Sequence, residues 1–202
     1  MSIEKLDSGL RKIDPRDADL AAVGAITELM NDRDFHKISF RRAADEFPMF
    51  RTLSIGIRNY LEESTDPELP IAKEHVECTL IGARIGMIAL SRLALHNDDL
   101  REGLQAVTAE PLITAMHTII EEQRMLDTDA RLLNRRRDVS HDYPAVEVNL
   151  FATFTEIINR RQASLAPDMS AYNVEDQAAD VADGLELGLL TFDEVVRGAK
   201  AS

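Results

Sequence analysis

The stretch that decides the fold is RDFHKISFRRAADEFPMFRTLSIGIRNYL, residues 33–61. It contains six Arg or Lys residues and three Asp or Glu residues, whereas the whole chain of 202 residues has a net charge of −13. Its apolar residues recur every three or four positions, which is the spacing of one helix face. Because proline cannot lie inside a helix and restricts the preceding residue, Phe47-Pro48 divides the stretch into two helical pieces. The sequence therefore predicts two consecutive short helices that carry positive charge in an acidic chain.

The two pieces have the layout of a helix-turn-helix unit. Ser39 is a candidate N-cap for a helix at residues 40–47, and a helix at residues 50–60 follows the corner at Pro48 and Met49. The first helix of such a unit needs small and apolar residues where the second helix crosses it closely. This requirement is met by Phe40, Ala43, Ala44 and Phe47. The net charge of +3 between residues 33 and 60 is then left on the outer surface, where a phosphate backbone would bind.

Helical periodicity continues along the rest of the chain. A first helix is expected at residues 17–31, with its buried face formed by Leu20, Val23, Ile26 and Met30. Residues 71–96 are apolar almost all round and predict a buried central helix, in which Gly82 and Gly86 allow a neighbour to come close. Further helices are expected at residues 98–107, 109–126, 143–165 and 175–190, and the capping-box spacing from Thr191 to Glu194 predicts a last short helix.

The best domain boundary is STDPELP, residues 64–70, because it holds two prolines and several polar turn residues. It separates a predicted domain at residues 1–63 from a second domain at residues 71–202. The expected fold class is all-α, with an N-terminal three-helix helix-turn-helix DNA-binding domain followed by a helical ligand-binding and dimerisation domain.

Composition excludes several other classes of protein. The single cysteine, Cys78, rules out an internal disulfide framework, and the first residues have no signal-peptide pattern. The most apolar run is interrupted by Glu77, Arg84 and Arg92, which are too many charges for a bilayer span. We therefore expect a cytoplasmic protein without a membrane role.

Two segments resemble the TetR family of transcriptional regulators. The first is AITELMNDRDFHKISFRRAADEF at residues 25–47. It has the family's order of features: the end of one helix, a residue pair whose second member is aromatic, a hydroxyl residue that caps the next helix, and alanines in the core of that helix. The second is AADVADGLELGLL at residues 178–190, which is similar to part of the family's last long helix. The chain departs from the family at Phe47-Pro-Met-Phe50, where a turn glycine is usual, and at Ser54, where a tyrosine is usual.

The resemblance implies double-stranded DNA as a partner, with Ser39, Arg41 and Arg42 near the phosphate backbone. It also implies that the second helix of the unit reads bases in the major groove, through Arg51, Thr52, Ser54 and Asn59. A TetR-like protein acts as a homodimer, and a dimer implies a palindromic operator. The predicted function is a transcriptional regulator, a repressor, that is released by a small, largely apolar effector.

The resemblance places dimerisation on the last two long helices and the effector in a cavity of the second domain. The residues expected in the dimer interface are Phe151, Ile158, Val181, Leu185 and Leu189. The residues expected to line the effector cavity are Met87, Leu90, Met116, Ile120 and Phe154. Methionines suit such a cavity because their side chains adapt to irregular apolar contents.

Two alternatives of other classes stay open. A helical adaptor that has lost DNA binding would explain the departures from the family in the second helix. A small HD-type metal hydrolase is suggested by His141-Asp142, although that family needs further spaced ligands. His117 with Glu121 and Glu74 with Cys78 also share helix faces, but neither pair has the spacing of a known metal motif. Asp98-Asp99-Leu-Arg-Glu102 resembles the acidic motif of isoprenoid synthases, but a single such motif is more simply a capped, solvated helix start. We therefore predict no enzyme activity, no cofactor and no metal.

Overall fold

The structure is a computed structural model, and it describes residues 2–31, 33–65, 67–68, 72–127 and 174–201. These residues form eight helices and no strand, which confirms the all-α prediction. None of these described helices combines the length and the apolar composition needed to cross a bilayer. In chain order they are α1 (Ser2–Arg11), α2 (Pro15–Asn31), α3 (Arg33–Glu46), α4 (Pro48–Ser64), α5 (Ala72–Ala94), α6 (Asp98–Ala106), α7 (Ala109–Asp127) and α8 (Val174–Ala201).

Helices α5 and α8 form the centre of the fold, and glycines on both let their backbones meet. Gly82 and Gly86 of α5 face the backbone of α8, and Gly184 and Gly188 of α8 face the backbone of α5. A Cβ at Gly86 would lie only 2.9 Å from the Leu185 carbonyl oxygen. The predictions that α5 is buried and that its glycines serve close packing are both confirmed.

Helix α1 was not predicted, yet it packs closely on α6. Gly9 of α1 meets the backbone of Leu100, and Gly103 of α6 meets the backbone of Leu6. Asn97 joins the two helices, because its Oδ1 accepts a hydrogen bond from Leu100 N at 3.0 Å and its Nδ2 donates to Gly9 O at 2.9 Å. This asparagine therefore caps α6 and holds α1 with the same side chain.

A single hydrophobic core collects residues from both sides of the predicted domain boundary. Phe50 of α4 and Phe192 of α8 meet edge to face, with ring centroids 5.5 Å apart, and both are fully buried. Among the described residues the helices before residue 64 thus share their core with those after residue 72. The division into two domains at residues 64–70 stays a prediction.

The predicted buried face of α2 was right at Ile26 and wrong at Leu20. Leu20 is 71% exposed, while Ala18, Ala22, Ala25 and Ile26 are buried. The small alanines let α2 approach α5 closely, so the helix turns its alanine face inward and leaves the bulkier Leu20 outside.

The predicted helix start at Thr191 was also wrong. Thr191 lies inside α8, is fully buried, and donates from its Oγ1 to Leu187 O at 2.6 Å. The hydroxyl is satisfied by the preceding helical turn and does not cap a new helix.

Candidate nucleic-acid interface

Helices α3 and α4 meet at a one-residue corner. Phe47 is the only residue between them, and Pro48 occupies the first turn of α4, where its missing N–H is harmless. Phe47 is fully buried and its ring lies 5.2 Å from that of Phe50, so an aromatic pair holds the corner. A helix-turn-helix unit usually has three or four residues at this point. The division into two helices at Phe47-Pro48 is confirmed, but both helices are longer than the predicted 40–47 and 50–60, and the turn is shorter than in that unit.

The inward face of α3 has the predicted composition. Ala43 and Ala44 are buried, and Phe40 is half-buried beneath the guanidinium of Arg84, whose Cζ lies 5.1 Å from the ring centroid. Burial lowers the pKa of Arg84 and the charge of Arg58 lowers that pKa further, while Glu77 opposes both effects. An arginine stays protonated at neutral pH all the same, so positive charge persists where α3, α4 and α5 meet.

The outward faces of α3 and α4 carry most of the side chains predicted to contact DNA. Arg41 and Arg42 are exposed on α3, and Arg51 and Asn59 are exposed on α4, with Thr52 half-buried beside them. The Arg51 Nη2 atom lies 3.1 Å from Asp45 Oδ1, and both side chains are more than half exposed. An ion pair so open to water is weak and easily exchanged.

Ile55 belongs to the same face and was missed by the sequence argument. It is 53% exposed and lies four residues after Arg51 and four before Asn59. The signal was present in this spacing, since positions i, i+4 and i+8 follow one side of a helix. We refer to Arg41, Arg42, Arg51, Ile55 and Asn59 as the α3–α4 surface.

Two predicted contact residues do not point outward. Ser39 is inside α3 and is not its N-cap, because the helix already begins at Arg33, and its Oγ donates to Glu28 Oε2 at 2.9 Å. Ser54 is 4% exposed and its Oγ accepts from Arg84 Nε at 3.2 Å. Ser54 lies on the buried face of α4, one residue from Leu53 and four from Phe50, so helical periodicity turns it away from solvent.

The predicted effector residues lie in the core. Met87, Leu90, Met116 and Ile120 are all buried, and Phe154 lies outside the described residues. An open cleft of about 800 Å³ lies elsewhere, lined by residues 12, 13, 17, 20, 21 and 92–93 and by residues 95–99. We refer to it as the α2–α5 cleft.

The predicted dimer residues on α8 contact their own chain. Val181 and Leu185 are buried and meet α5 at Gly82 and Gly86, and Leu189 is half-buried within 3.3 Å of the Cβ position at Gly86. Glycines bring the two backbones so close that these side chains are used within the monomer. Phe151 and Ile158 lie outside the described residues.

In the described part of the chain, the pairs of residues considered for catalysis lie on three different helices, α5, α6 and α7. His117 is exposed and packs against the ring of Tyr60 at 5.4 Å, and Cys78 is half-buried beside the core. Within the described ranges, no group of three or more His, Cys, Asp or Glu side chains is placed to hold a metal ion. His141 and Asp142 lie outside those ranges.

Comparison of the chain with protein-family models, with curated proteins and with solved structures gives no match. The α3–α4 surface lies within residues 33–61, and its α3 part, Arg41 and Arg42, belongs to the first segment that resembles TetR-type regulators, residues 25–47.

Proposed function

We propose that this protein is a TetR-like transcriptional regulator that binds double-stranded DNA through the α3–α4 surface. The observation that carries the proposal is the exposure of Arg41, Arg42 and Arg51 on both sides of one tight corner, in a chain of net charge −13. Positive charge gathered on one surface of an acidic protein favours a polyanion there and repels it elsewhere. The proposed assembly is a homodimer on a palindromic operator, acting as a repressor.

The two helices have different roles in this proposal. Arg41 and Arg42 of α3 bind phosphate oxygens and set the register, without reading sequence. Arg51 and Asn59 of α4 reach base edges, because arginine pairs with guanine and asparagine with adenine in the major groove. The stripe from Arg51 to Asn59 covers about 12 Å along the helix at 1.5 Å per residue, a length that fits a few base pairs.

Ile55 adds an apolar contact at the centre of this stripe. Its exposed side chain lies between Arg51 and Asn59, where it could meet the methyl group of a thymine. The weak pair of Arg51 with Asp45 would be exchanged for a guanine or a phosphate at little cost.

The test is a selection of duplex fragments by the purified protein at two salt concentrations, followed by anisotropy titrations with the selected duplex. The double variant Arg41→Ala/Arg42→Ala should weaken binding to all sequences and reduce the salt slope by about two. Arg51→Ala should cost about 1–3 kcal/mol and relax the preference at one position. Arg11→Ala removes an exposed arginine on α1, away from this surface, and should leave binding unchanged.

The absence of duplex binding at the lower salt concentration, with helical content intact, would overturn the proposal. Equal loss of affinity in Arg11→Ala would show that only net charge matters. The first result is measured on the wild type and the second on the Arg11→Ala control. Poor folding of a variant of the α3–α4 surface therefore does not decide the outcome.

A second candidate function is that of a helical adaptor. Ile38 on α3 and Ile55 on α4 are 45% and 53% exposed, and exposed apolar side chains on adjacent helices suit a protein partner. An adaptor would fail to bind duplexes at any salt. It would instead capture a protein partner with a binding constant that falls in Ile38→Ser/Ile55→Ser and is unaffected by Arg41→Ala/Arg42→Ala.

A further inference from the structure

The α2–α5 cleft has the composition of a binding site for a small amphipathic molecule. Its walls come from the turn after α1, the first half of α2, the end of α5 and the start of α6. Leu20 and Leu95 line it and are 71% and 54% exposed, a high exposure for large apolar side chains. Its volume of about 800 Å³ is within the range of small-molecule sites.

Arg92 is the charged group set deepest in this cleft. Its side chain is 29% exposed, and its Nη1 donates to the backbone carbonyl oxygen of Ala21, another lining residue, at 3.5 Å. Gly24 gives the guanidinium its room, since a Cβ at that position would lie 2.6 Å from Arg92 Nη1. Asp17 and Asp98 are also in the lining but are exposed, so water screens their charges more than that of Arg92.

A chain of polar contacts leads from Arg92 through Glu28 to Ser39 of α3, the helix that carries Arg41 and Arg42 of the α3–α4 surface. Arg92 Nη2 pairs with Glu28 Oε1, and the other carboxylate oxygen of Glu28 accepts the 2.9 Å hydrogen bond from Ser39 Oγ. These three residues belong to α5, α2 and α3 in turn. Glu28 thus joins α3, the first helix of the candidate DNA-binding unit, to the wall of the cleft.

We propose that the α2–α5 cleft binds a small carboxylate with an apolar body, and that its carboxylate competes with Glu28 for Arg92. The apolar body would lie on Leu20 and Leu95. Glu28, once released from Arg92, is held by Ser39 and no longer by the wall of the cleft, so occupancy of the cleft changes how α3 sits on α2. The binding step stands alone, whereas its effect on DNA rests on the proposed function.

The chemistry of the cleft favours a carboxylate over an amine. Guanidinium groups bind carboxylates through paired hydrogen bonds, and those bonds are strongest where water is partly excluded, as it is at Arg92. An amine would depend on Asp17 and Asp98, which are exposed, or on Asp99, whose carboxylate already accepts hydrogen bonds from Ser8 and Lys12. An effector can shift α3 only if it binds one arrangement of α3 on α2 more tightly than the other. The exchange of Glu28 for the carboxylate of the effector at Arg92 supplies that difference in affinity.

Calorimetry with decanoate tests the site, with decanol and decylammonium as probes of equal chain length. Decanoate should bind, and its affinity should fall about tenfold or more in Arg92→Gln and in Leu20→Ser, with Arg92→Lys between wild type and Arg92→Gln. Arg11→Gln is the matched control and should bind as the wild type does. Binding of decylammonium or decanol as tight as that of decanoate would overturn the assignment, and so would an unchanged affinity in Arg92→Gln.

A fluorescent reporter tests the connection to α3. The chain has no tryptophan, so Ile38→Trp places a single indole on α3 beside Ser39. Decanoate should change its emission, and the change should disappear in Ile38→Trp/Ser39→Ala although decanoate still binds. A response that survives the loss of Ser39, or no response at saturating decanoate, would overturn the connection.

The two proposals fail separately. If decanoate binds and moves the reporter but no duplex binds, the function as a DNA regulator is wrong and the site stands. If a duplex binds and decanoate does not, the site is wrong and the DNA-binding function stands. If both bind, decanoate should change duplex affinity by about 5- to 150-fold, the usual range for coupled sites.

Discussion

At the scale of single residues, the contact between His75 and Asp180 makes stability depend on pH. His75 Nδ1 lies 2.9 Å from Asp180 Oδ2, and this contact raises the pKa of His75, with Asp183 adding to the effect and burial opposing it. Burial raises the pKa of Asp180, and His75 opposes that rise. Both groups therefore hold protons more tightly in the folded chain than in the unfolded one.

The expected outcome is a loss of stability as pH rises. For His75 the contribution is complete below its unfolded pKa of about 6.5 and is lost as pH passes through the raised folded value. For Asp180, whose pKa is also raised, folding is most favoured when the carboxyl is neutral, so its effect has the same sign. Because His75 is 36% exposed, its part should stay within about 1 kcal/mol, or about 2–4 °C in melting temperature.

Thermal melts between about pH 6 and about pH 9 check this, because the interval begins near the unfolded pKa of about 6.5 and extends in the direction in which the pKa of His75 is shifted. His75→Gln should flatten the pH dependence, and His117→Gln, on the exposed side of α7, should not. A melting temperature that rises across this interval in the wild type would contradict the assignment.

The directions of the Ser39 and Ser54 side chains could not be predicted from the sequence. Both are polar residues on basic helices, and both were assigned to DNA. Their direction depends on partners far along the chain, Glu28 for Ser39 and Arg84 for Ser54. Arg41 and Arg42 were placed on the outer face correctly, because helical periodicity alone decides it.

At the scale of helices, the α5–α8 contact depends on the absence of Cβ atoms. Gly184→Ala should destabilise the chain by about 1–3 kcal/mol, because the new methyl would overlap the backbone of Thr79 and force two central helices apart. Gly198→Ala is the matched control in the same helix, since nothing lies within 4 Å of its Cβ position. It should be neutral or should stabilise by up to about 1 kcal/mol, because alanine is the better helix former.

Urea unfolding of the two variants measures the difference. Equal free energies of unfolding would mean that the glycine stripe is incidental to the packing.

The dependence of packing on glycine also explains why α1 was not predicted. Its docking depends on Gly9 meeting α6 and on Gly103 of α6 meeting α1, and no local pattern in residues 2–11 indicates a partner about a hundred residues away.

At the scale of the whole molecule, helical content and the limits of α5, α6 and α7 were predictable because each depends on local periodicity and caps. The arrangement of helices was not, because it depends on which faces can approach most closely. The alanine face of α2 packs inward where apolar bulk alone would have placed Leu20, and the glycines of α8 bring that helix against α5 of the same chain. The error at Leu20 came from counting large apolar residues and overlooking small ones.

The shared core leads to a last prediction, that the chain unfolds in one cooperative step. Phe50 before the predicted domain boundary and Phe192 after it are fully buried against each other. Scanning calorimetry should therefore show one transition whose calorimetric and van't Hoff enthalpies agree. Phe50→Ala should lower stability by about 3–5 kcal/mol and shift that transition as a whole, because the lost ring leaves a cavity between the two parts. The matched control is Ile55→Ala on the exposed face of the same helix, which should change stability by about 0.5 kcal/mol or less. Two separate transitions, with only the first moved by Phe50→Ala, would instead show that residues 1–63 fold as an independent domain.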